Sequence, residues 1–225
     1  MSYASTVVCI GGPPQQLAIN GKEFVSAPAL ITGSNAIKLH IQARADSTAG
    51  KFLATKKATD LVIASGDTAL DEDGSHPVIT ASVICDAHPD QYLNEIVIVG
   101  RIGSEARDAE SGKSTKRSIA VNRYRRDPDT EEIVELTDWF GVRAFGFTKQ
   151  RLQQADKGAL VEVTGMIDQL TNAKGEDFCE IKARSIRIHK GRKGAGANPA
   201  SGKAVAGYDS ESFMGSEDDF SPNWD

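Results

Sequence analysis

The segment Leu136-Thr137-Asp138-Trp139-Phe140-Gly141-Val142-Arg143-Ala144-Phe145-Gly146 decides how the rest of the chain is read. Its Thr, Val and aromatic content favours an extended strand, in which successive side chains point to opposite faces. One face then carries Trp139, Gly141, Arg143 and Phe145, and the other carries Phe140, Val142 and Ala144. The second set is wholly apolar and suits the inward side of a barrel. The first presents two ring faces and a guanidinium to a partner, the equipment for stacking on bases. A half-buried edge strand, with Trp139 and Phe145 under a loop, is the alternative that the segment alone leaves open.

Three neighbouring segments narrow the choice. Glu95-Ile-Val-Ile-Val-Gly-Arg-Ile-Gly103 is an apolar strand running into a basic turn, Ser118-Ile-Ala-Val-Asn-Arg-Tyr-Arg-Arg126 is a second strand, and Lys157-Gly-Ala-Leu-Val-Glu-Val-Thr-Gly165 is a glycine-led third. With the Ala120-Val-Asn-Arg123 run and the Thr137-Asp-Trp139 start of the opening strand, they resemble, in order and spacing, the bacterial single-stranded DNA-binding protein family. The resemblance covers about residues 94–190. It implies an all-β fold: a five-stranded oligonucleotide-binding (OB) barrel with one short helix, and a surface for single-stranded DNA.

Composition agrees with a folded protein that shields most of its apolar groups. Of 225 residues, 40% are hydrophobic, and no apolar run approaches the roughly 20 residues of a membrane span. The amino-terminal stretch has neither a basic n-region nor an Arg-rich amphipathic pattern, so neither secretion nor organelle import is indicated. Cys9, Cys85 and Cys179 are widely spaced and odd in number, which favours reduced thiols in a cytoplasm over a disulfide frame or a zinc site. The net charge of -5 hides an asymmetry. Residues 1–93 hold six Lys+Arg against nine Asp+Glu (-3), residues 94–193 hold nineteen against sixteen (+3), and residues 194–225 hold one against six (-5). Only the region of the resemblance is basic, as a phosphate-binding surface requires.

Within that region the DNA-binding candidates are Trp139, Phe145, Arg143, Tyr124, Arg123, Arg125, Arg126, Lys116, Arg117 and Phe178. Three arginines around Tyr124 combine phosphate pairing with a base-sized ring, which tracks single strands without reading sequence. A second stacking Trp, which the resemblance places near position 125, is absent, so Tyr124 is the nearest substitute. Residues 104–118 are polar and read as an exposed loop, with Lys113, Lys116 and Arg117 as solvated cations. Gly112-Lys113-Ser114-Thr115 imitates the end of a phosphate-binding P-loop, but Arg107 stands where the earlier glycine is required. Phe147 to Asp156 reads as the short helix that plugs the barrel, with Phe147, Leu152 and Ala155 as its apolar positions and Gly158 as a stop. The resemblance points to an aromatic in the last hairpin, where Phe178 is the candidate.

Residues 1–93 alternate like strands from Thr6 to Ile10, Gln16 to Ile19, Phe24 to Thr32, Ile37 to Ala43, Leu61 to Ala64 and Val78 to Cys85, with a turn at Asn20-Gly21 and no helical stripe. They read as a second β-rich domain, either a degenerate OB barrel or an unrelated β unit, or as an N-terminal extension of the barrel. A repeat is faintly visible: Ala29–Gly33 parallels Ile96–Gly100, Ala58–Gly66 parallels Leu136–Gly146, and Val78–Ile84 parallels Val161–Ile167. On that alignment Leu61 and Ser65 replace Trp139 and Phe145, so the first copy lacks a stacking surface. His40, His76 and His88 have no metal-ligand spacing, and neither cofactor nor metal is expected. From 191 onward the composition turns to Gly, Ala, Ser and Pro, a flexible linker before an acidic end. Asp218, Asp219, Phe220, Pro222, Trp224 and Asp225 are the candidates there for partner binding.

These readings make the protein a non-enzymatic single-stranded DNA binder of the cytoplasm and nucleoid, serving DNA replication, recombination and repair. The acidic tail recruits replication and repair proteins, and the chain assembles with itself as a homodimer or homotetramer without a membrane. A primosome-type or RNA-binding OB protein would use the same face on another ligand. A structural interaction module would need that face buried.

Overall fold

In the computed structural model the alternation read from residues 139 to 145 is present: Phe140, Val142 and Ala144 are 5%, 1% and 0% exposed, against 39% for Trp139 and 38% for Phe145. The structure describes residues 1–33, 37–71, 73–126, 130, 132–172 and 174–189, with the side chains of 125 and 126 excepted. Asp218, Asp219, Phe220, Pro222, Trp224 and Asp225, expected to bind partners, and the linker expected before them lie outside the described residues.

Two runs of strands follow one another. The first comprises β1 (Ser2–Ile10), β2 (Gln15–Ile19), β3 (Lys22–Ile31), β4 (Ile37–Arg44), α1 (Thr48–Leu53), β5 (Leu61–Leu70) and β6 (Pro77–Asp86). The second comprises β7 (Asn94–Ile102), β8 (Arg107–Asp108), β9 (Ser114–Arg126), β10 (Ile133–Phe145), α2 (Gly146–Gln154), β11 (Leu160–Thr171) and β12 (Asp177–His189). In the second run, β7 pairs with β9 and β11, β9 with β10, β10 in parallel with β12, and β12 with β11, which closes a five-stranded barrel. The first run repeats this ring: β1 with β3 and β5, β3 with β4, β4 in parallel with β6, and β6 with β5. Closure leaves each ring without open edges, so an all-β chain of this size hides most of its backbone donors.

The registers show which residues correspond. Cys9 lies opposite Leu61, Leu30 opposite Cys9, and Lys38 opposite Leu30. Arg101 lies opposite Leu160, Ala120 opposite Arg101, and Trp139 opposite Ala120. Even the irregularities coincide, with register shifts at Ser65/Gly66 in β5 and Thr164/Gly165 in β11. At both shifts a partner carbonyl fills the space of a side chain: a Cβ on Gly66 would fall 2.1 Å from the Thr80 oxygen, and one on Gly165 2.4 Å from the Lys182 oxygen. The three parallels drawn from sequence are therefore displaced. Ala29–Ile31 lies in β3, which corresponds to β9 and not to β7. Leu61–Gly66 corresponds to β11 and not to β10, and Val78–Ile84 to β12 and not to β11. Short apolar words ending in glycine match one another in any register; only the pairing partners distinguish them.

Two further expectations change. The region 1–93 contains a helix, α1, capped by the Ser47 hydroxyl accepting from the Gly50 amide at 3.0 Å. The region 104–118 is not one loop, because β8 lies within it and β9 begins at Ser114. The helix at 146–154 is where it was expected, with Leu152 and Ala155 buried, but Phe147 is 68% exposed and carries Arg151 over its ring at 5.1 Å.

The two rings join through β1 and β7, antiparallel from Ser2 opposite Ile98 to Thr6 opposite Asn94, so all twelve strands form one continuous sheet. Met1 extends the seam by donating its amino group to the Val99 carbonyl at 3.1 Å.

Candidate nucleic-acid interface

The outward faces of β9 and β10 build the site. Their register sets Tyr124 opposite Glu135, Asn122 opposite Thr137, Ala120 opposite Trp139, Ser118 opposite Gly141 and Lys116 opposite Arg143. Small residues lie opposite the aromatics, Ala120 opposite Trp139 and Ser114 opposite Phe145, and leave both rings more than a third exposed. Trp139 rests on the backbone of Gly103, where a Cβ would fall 2.1 Å from the indole. The Gly103 amide donates to the Ser118 carbonyl at 2.8 Å, which fixes that floor. With one side of the indole supported and 39% of the residue exposed, Trp139 is a fixed platform. Phe145 closes the strand at the start of α2, and the Lys182 ammonium stands 5.4 Å from its ring centroid. Tyr124 projects from the far end of the same face, 70% exposed, its hydroxyl donating to Glu135 at 3.3 Å.

The cations are distributed differently from the expectation. Arg117 is not a solvated loop cation. It shares the inward side of β9 with Ile119, is 3% exposed, and spends its guanidinium on backbone carbonyls. Its Nε and Nη2 donate to Ser104 at 3.0 and 2.8 Å, and its Nη1 donates to Leu152 at 2.9 Å and also to Ala155. It thus ties the last turn of α2 to the loop after β7, satisfying carbonyls that a helix end leaves unpaired. Lys116 lies in β9, not in a loop, with its ammonium 3.6 Å from Glu180. Arg143 has its Nε 2.5 Å from the other Glu180 oxygen, close enough for charge pairing although the Nε–H is not aimed along a hydrogen bond. Glu180 itself is 4% exposed. Burial pushes its carboxyl above the ordinary carboxylate range, and the charges of Lys116 and Arg143 oppose that shift.

Arg123 projects to the side of β9 opposite Tyr124 and pairs with Asp138 at 2.8 Å. Burial raises the Asp138 carboxyl above its usual range, against the lowering effect of Arg123 and of the Leu70 amide beside it. Arg123 therefore serves the junction between the two rings, not the aromatic face. Arg125 and Arg126 are paired in β9 opposite Val134 and Ile133, and their side chains lie outside the described residues. Phe178, half-buried opposite Leu170, lines a groove with Ser118, Gly141 and Glu180. The structure thus gathers Trp139, Phe145, Arg143, Lys116, Tyr124 and Phe178 on or beside one face, and sends Arg117 and Arg123 elsewhere.

Sequence reasoning missed the matching face of the first ring. Continuing the register from Lys38 in the place of Trp139, His40 stands for Gly141, Gln42 for Arg143 and Arg44 for Phe145. Leu61 and Ser65 have no part in it. The two rings have given way to two cations, and both are tied: the Lys38 ammonium to Asp177 at 3.0 Å and Arg44 to Asp46 at 2.6 Å. The Lys38 amide also donates to Gln169 at 2.8 Å, so the β11–β12 hairpin leans on the first ring. Among the described residues no group of His, Cys, Asp and Glu could hold a metal. No helix there is long and apolar enough to cross a membrane.

Residues 93–188 match the model of the Single-strand binding protein family. No curated protein matches the sequence significantly. Among solved structures, the wild-type single-stranded DNA binding protein from Thermus aquaticus superimposes with a TM-score of 0.61 at 12% identity, over 88% of this chain and 97% of that one. A deletion mutant of the Thermus aquaticus protein gives 0.60 at 12% identity, over 85% and 96%. A small single-stranded DNA-binding protein from Streptomyces coelicolor is 24% identical, with a TM-score of 0.35 over 42% and 93%. The chain thus carries the sequence pattern of the single-strand binding family over residues 93–188, and shares its fold across both rings with the Thermus aquaticus protein.

Proposed function

We propose that this protein binds single-stranded DNA without reading its sequence, and does no chemistry on it. The observation that carries the reading is the pair of supported, half-exposed rings, Trp139 and Phe145, on the outward face of a closed barrel. Bases of any identity offer a π-face, and such stacking is worth about 1–3 kcal/mol per base. The family match over residues 93–188 supports the same reading. Titration of the intrinsic tryptophan fluorescence with oligo(dT) and oligo(rU) tests it. Quenching by both with a preference for oligo(dT) is expected; equal preference or a bias to oligo(rU) would favour RNA, and no change with either would reject nucleic-acid binding.

In this reading residues 1–93 and 94–190 are two OB units of one chain, and residues 191–225 are a linker and tail. The first unit serves assembly more than stacking, since its matching face lacks aromatics. Two chains then supply four barrels. Light scattering should return a mass near two chains, whereas a four-chain particle would count against the two-unit reading.

The tail, with Asp218, Asp219, Phe220, Pro222, Trp224 and Asp225, recruits replication, recombination and repair proteins at the nucleoid. Residues 194–225 hold six acids against one Lys, so the tail also competes with phosphates for those cations of the basic region that remain exposed, such as Lys182, Arg184 and Arg187. Its reach is limited by a Debye length of roughly 8 Å at physiological salt. Deleting residues 208–225 should tighten single-strand binding at low salt, with a gain that shrinks as salt rises, and should remove partner proteins from a pull-down. Equal partner sets from both proteins would reduce the tail to a solubilising segment.

A further inference from the structure

A carboxylate sits where a cation would be most useful to a nucleic-acid backbone. Glu180 lies on β12 directly opposite Gly141, one of the two residues that separate the aromatics on this face. Its side chain is 3% exposed, and its two oxygens face one cation from β9 and one from β10, Lys116 and Arg143, whose side chains are 17% and 18% exposed. Both are far less exposed than the rings of Trp139 and Phe145 beside them. A carboxylate so enclosed is costly to desolvate unless paired, and two partners offset that cost. The same pairing keeps two positive charges from a passing phosphate.

We propose that Glu180 sets the binding mode of this face: it retains Lys116 and Arg143 as internal counter-charges, so that a single strand is held here by stacking and not by phosphate pairing. In the first ring the matching position is Val78, opposite His40 as Glu180 is opposite Gly141. The device therefore belongs to the ring that carries the aromatics. The inference rests on the single-strand-binding reading above and adds the residue that divides the work between rings and charges.

The test is the salt dependence of oligo(dT) binding by the full-length protein. Each phosphate neutralised on a single strand contributes roughly 0.7 to the slope of log K against log salt. Glu180→Gln releases up to two cations. It should steepen the slope by roughly 0.7 to 1.4 and tighten binding at low salt by at least about threefold. Arg143→Met placed in the Glu180→Gln background should take back part of that increase, and Glu180→Asp, which keeps the charge, should stay at the wild-type slope. An unchanged slope in folded Glu180→Gln would overturn the proposal, and so would weaker binding, which would make Glu180 a residue that orients the cations toward phosphate. If Glu180→Gln does not fold, Lys116→Met decides. Its slope should equal that of wild type, and a slope shallower by roughly 0.7 would put Lys116 on a phosphate and reject the idea. Wild-type protein that fails to bind oligo(dT) at all would instead remove the function on which the inference stands.

Discussion

Replacing Trp139 by alanine is expected to weaken oligo(dT) binding by one to two orders of magnitude while leaving the fold intact. The size follows from losing at least one stacked base, about 1–3 kcal/mol, where about 1.4 kcal/mol is a tenfold change. The fold survives because the indole is not a core group. It is 39% exposed and touches the Gly103 backbone from outside the barrel, whereas its neighbour Phe140 is 5% exposed and packs within. Trp139→Phe should recover part of the affinity, since a smaller ring still offers a face. Circular dichroism and urea unfolding check the fold, and fluorescence anisotropy of a labelled oligo(dT) reads the binding. Unchanged affinity in the folded alanine variant would mean that the strand runs elsewhere.

Arg117→Met should do the opposite, lowering stability far more than intrinsic affinity. Truncation removes the guanidinium from which the Ser104, Leu152 and Ala155 carbonyls accept, around a residue only 3% exposed. Each buried acceptor left unsatisfied costs about 1–3 kcal/mol. Partial rehydration at the end of α2 brings the total to about 2–4 kcal/mol, seen as a lower urea midpoint with the slope unchanged. Lysine should not rescue it, because an ammonium cannot fork to three carbonyls that lie in different directions. If Arg117→Met kept its stability and lost oligo(dT) affinity, the guanidinium would be leaving its pocket to meet phosphate.

The contrast between these two residues also measures how far the sequence could be read. Trp139 is legible because a period of two over 139–145 separates two chemically distinct faces, and the same alternation finds every strand from β1 to β6, although it ends at Ala64 where β5 runs on to Leu70. Arg117 was legible in principle. It is two residues from Ile119 and so shares its inward face, but the apolar alternation starts only at Ser118, and the polar run before it reads as loop. Length hid α1: six residues make fewer than two turns, too few for an apolar stripe to declare itself. Phe147 misled for a related reason, since a single aromatic at a helix start can face water when a neighbour such as Arg151 covers its ring. The charge pairing of Lys116 and Arg143 with Glu180 could not be read at all, because it joins three strands across a sequence distance that no local pattern spans.

The seam between the rings has a consequence for how the two halves can diverge. Cys9 and Arg101 occupy matching positions, so five residues earlier Ala4 and Ile96 match as well, and those two residues are paired with each other across β1 and β7. They therefore lie on the approximate two-fold axis. Were the rings separate identical chains, that axis would oblige one residue to face its own copy: two alanines would leave a gap, and two isoleucines would crowd. A single polypeptide escapes the obligation and sets a small residue against a large one, at 0% and 1% exposure. Complementarity of this kind is closed to a symmetric pair and open to a covalent one. It also makes the partnership independent of protein concentration, so each half can change its side of the seam, and its outward face, without the change being copied onto the other.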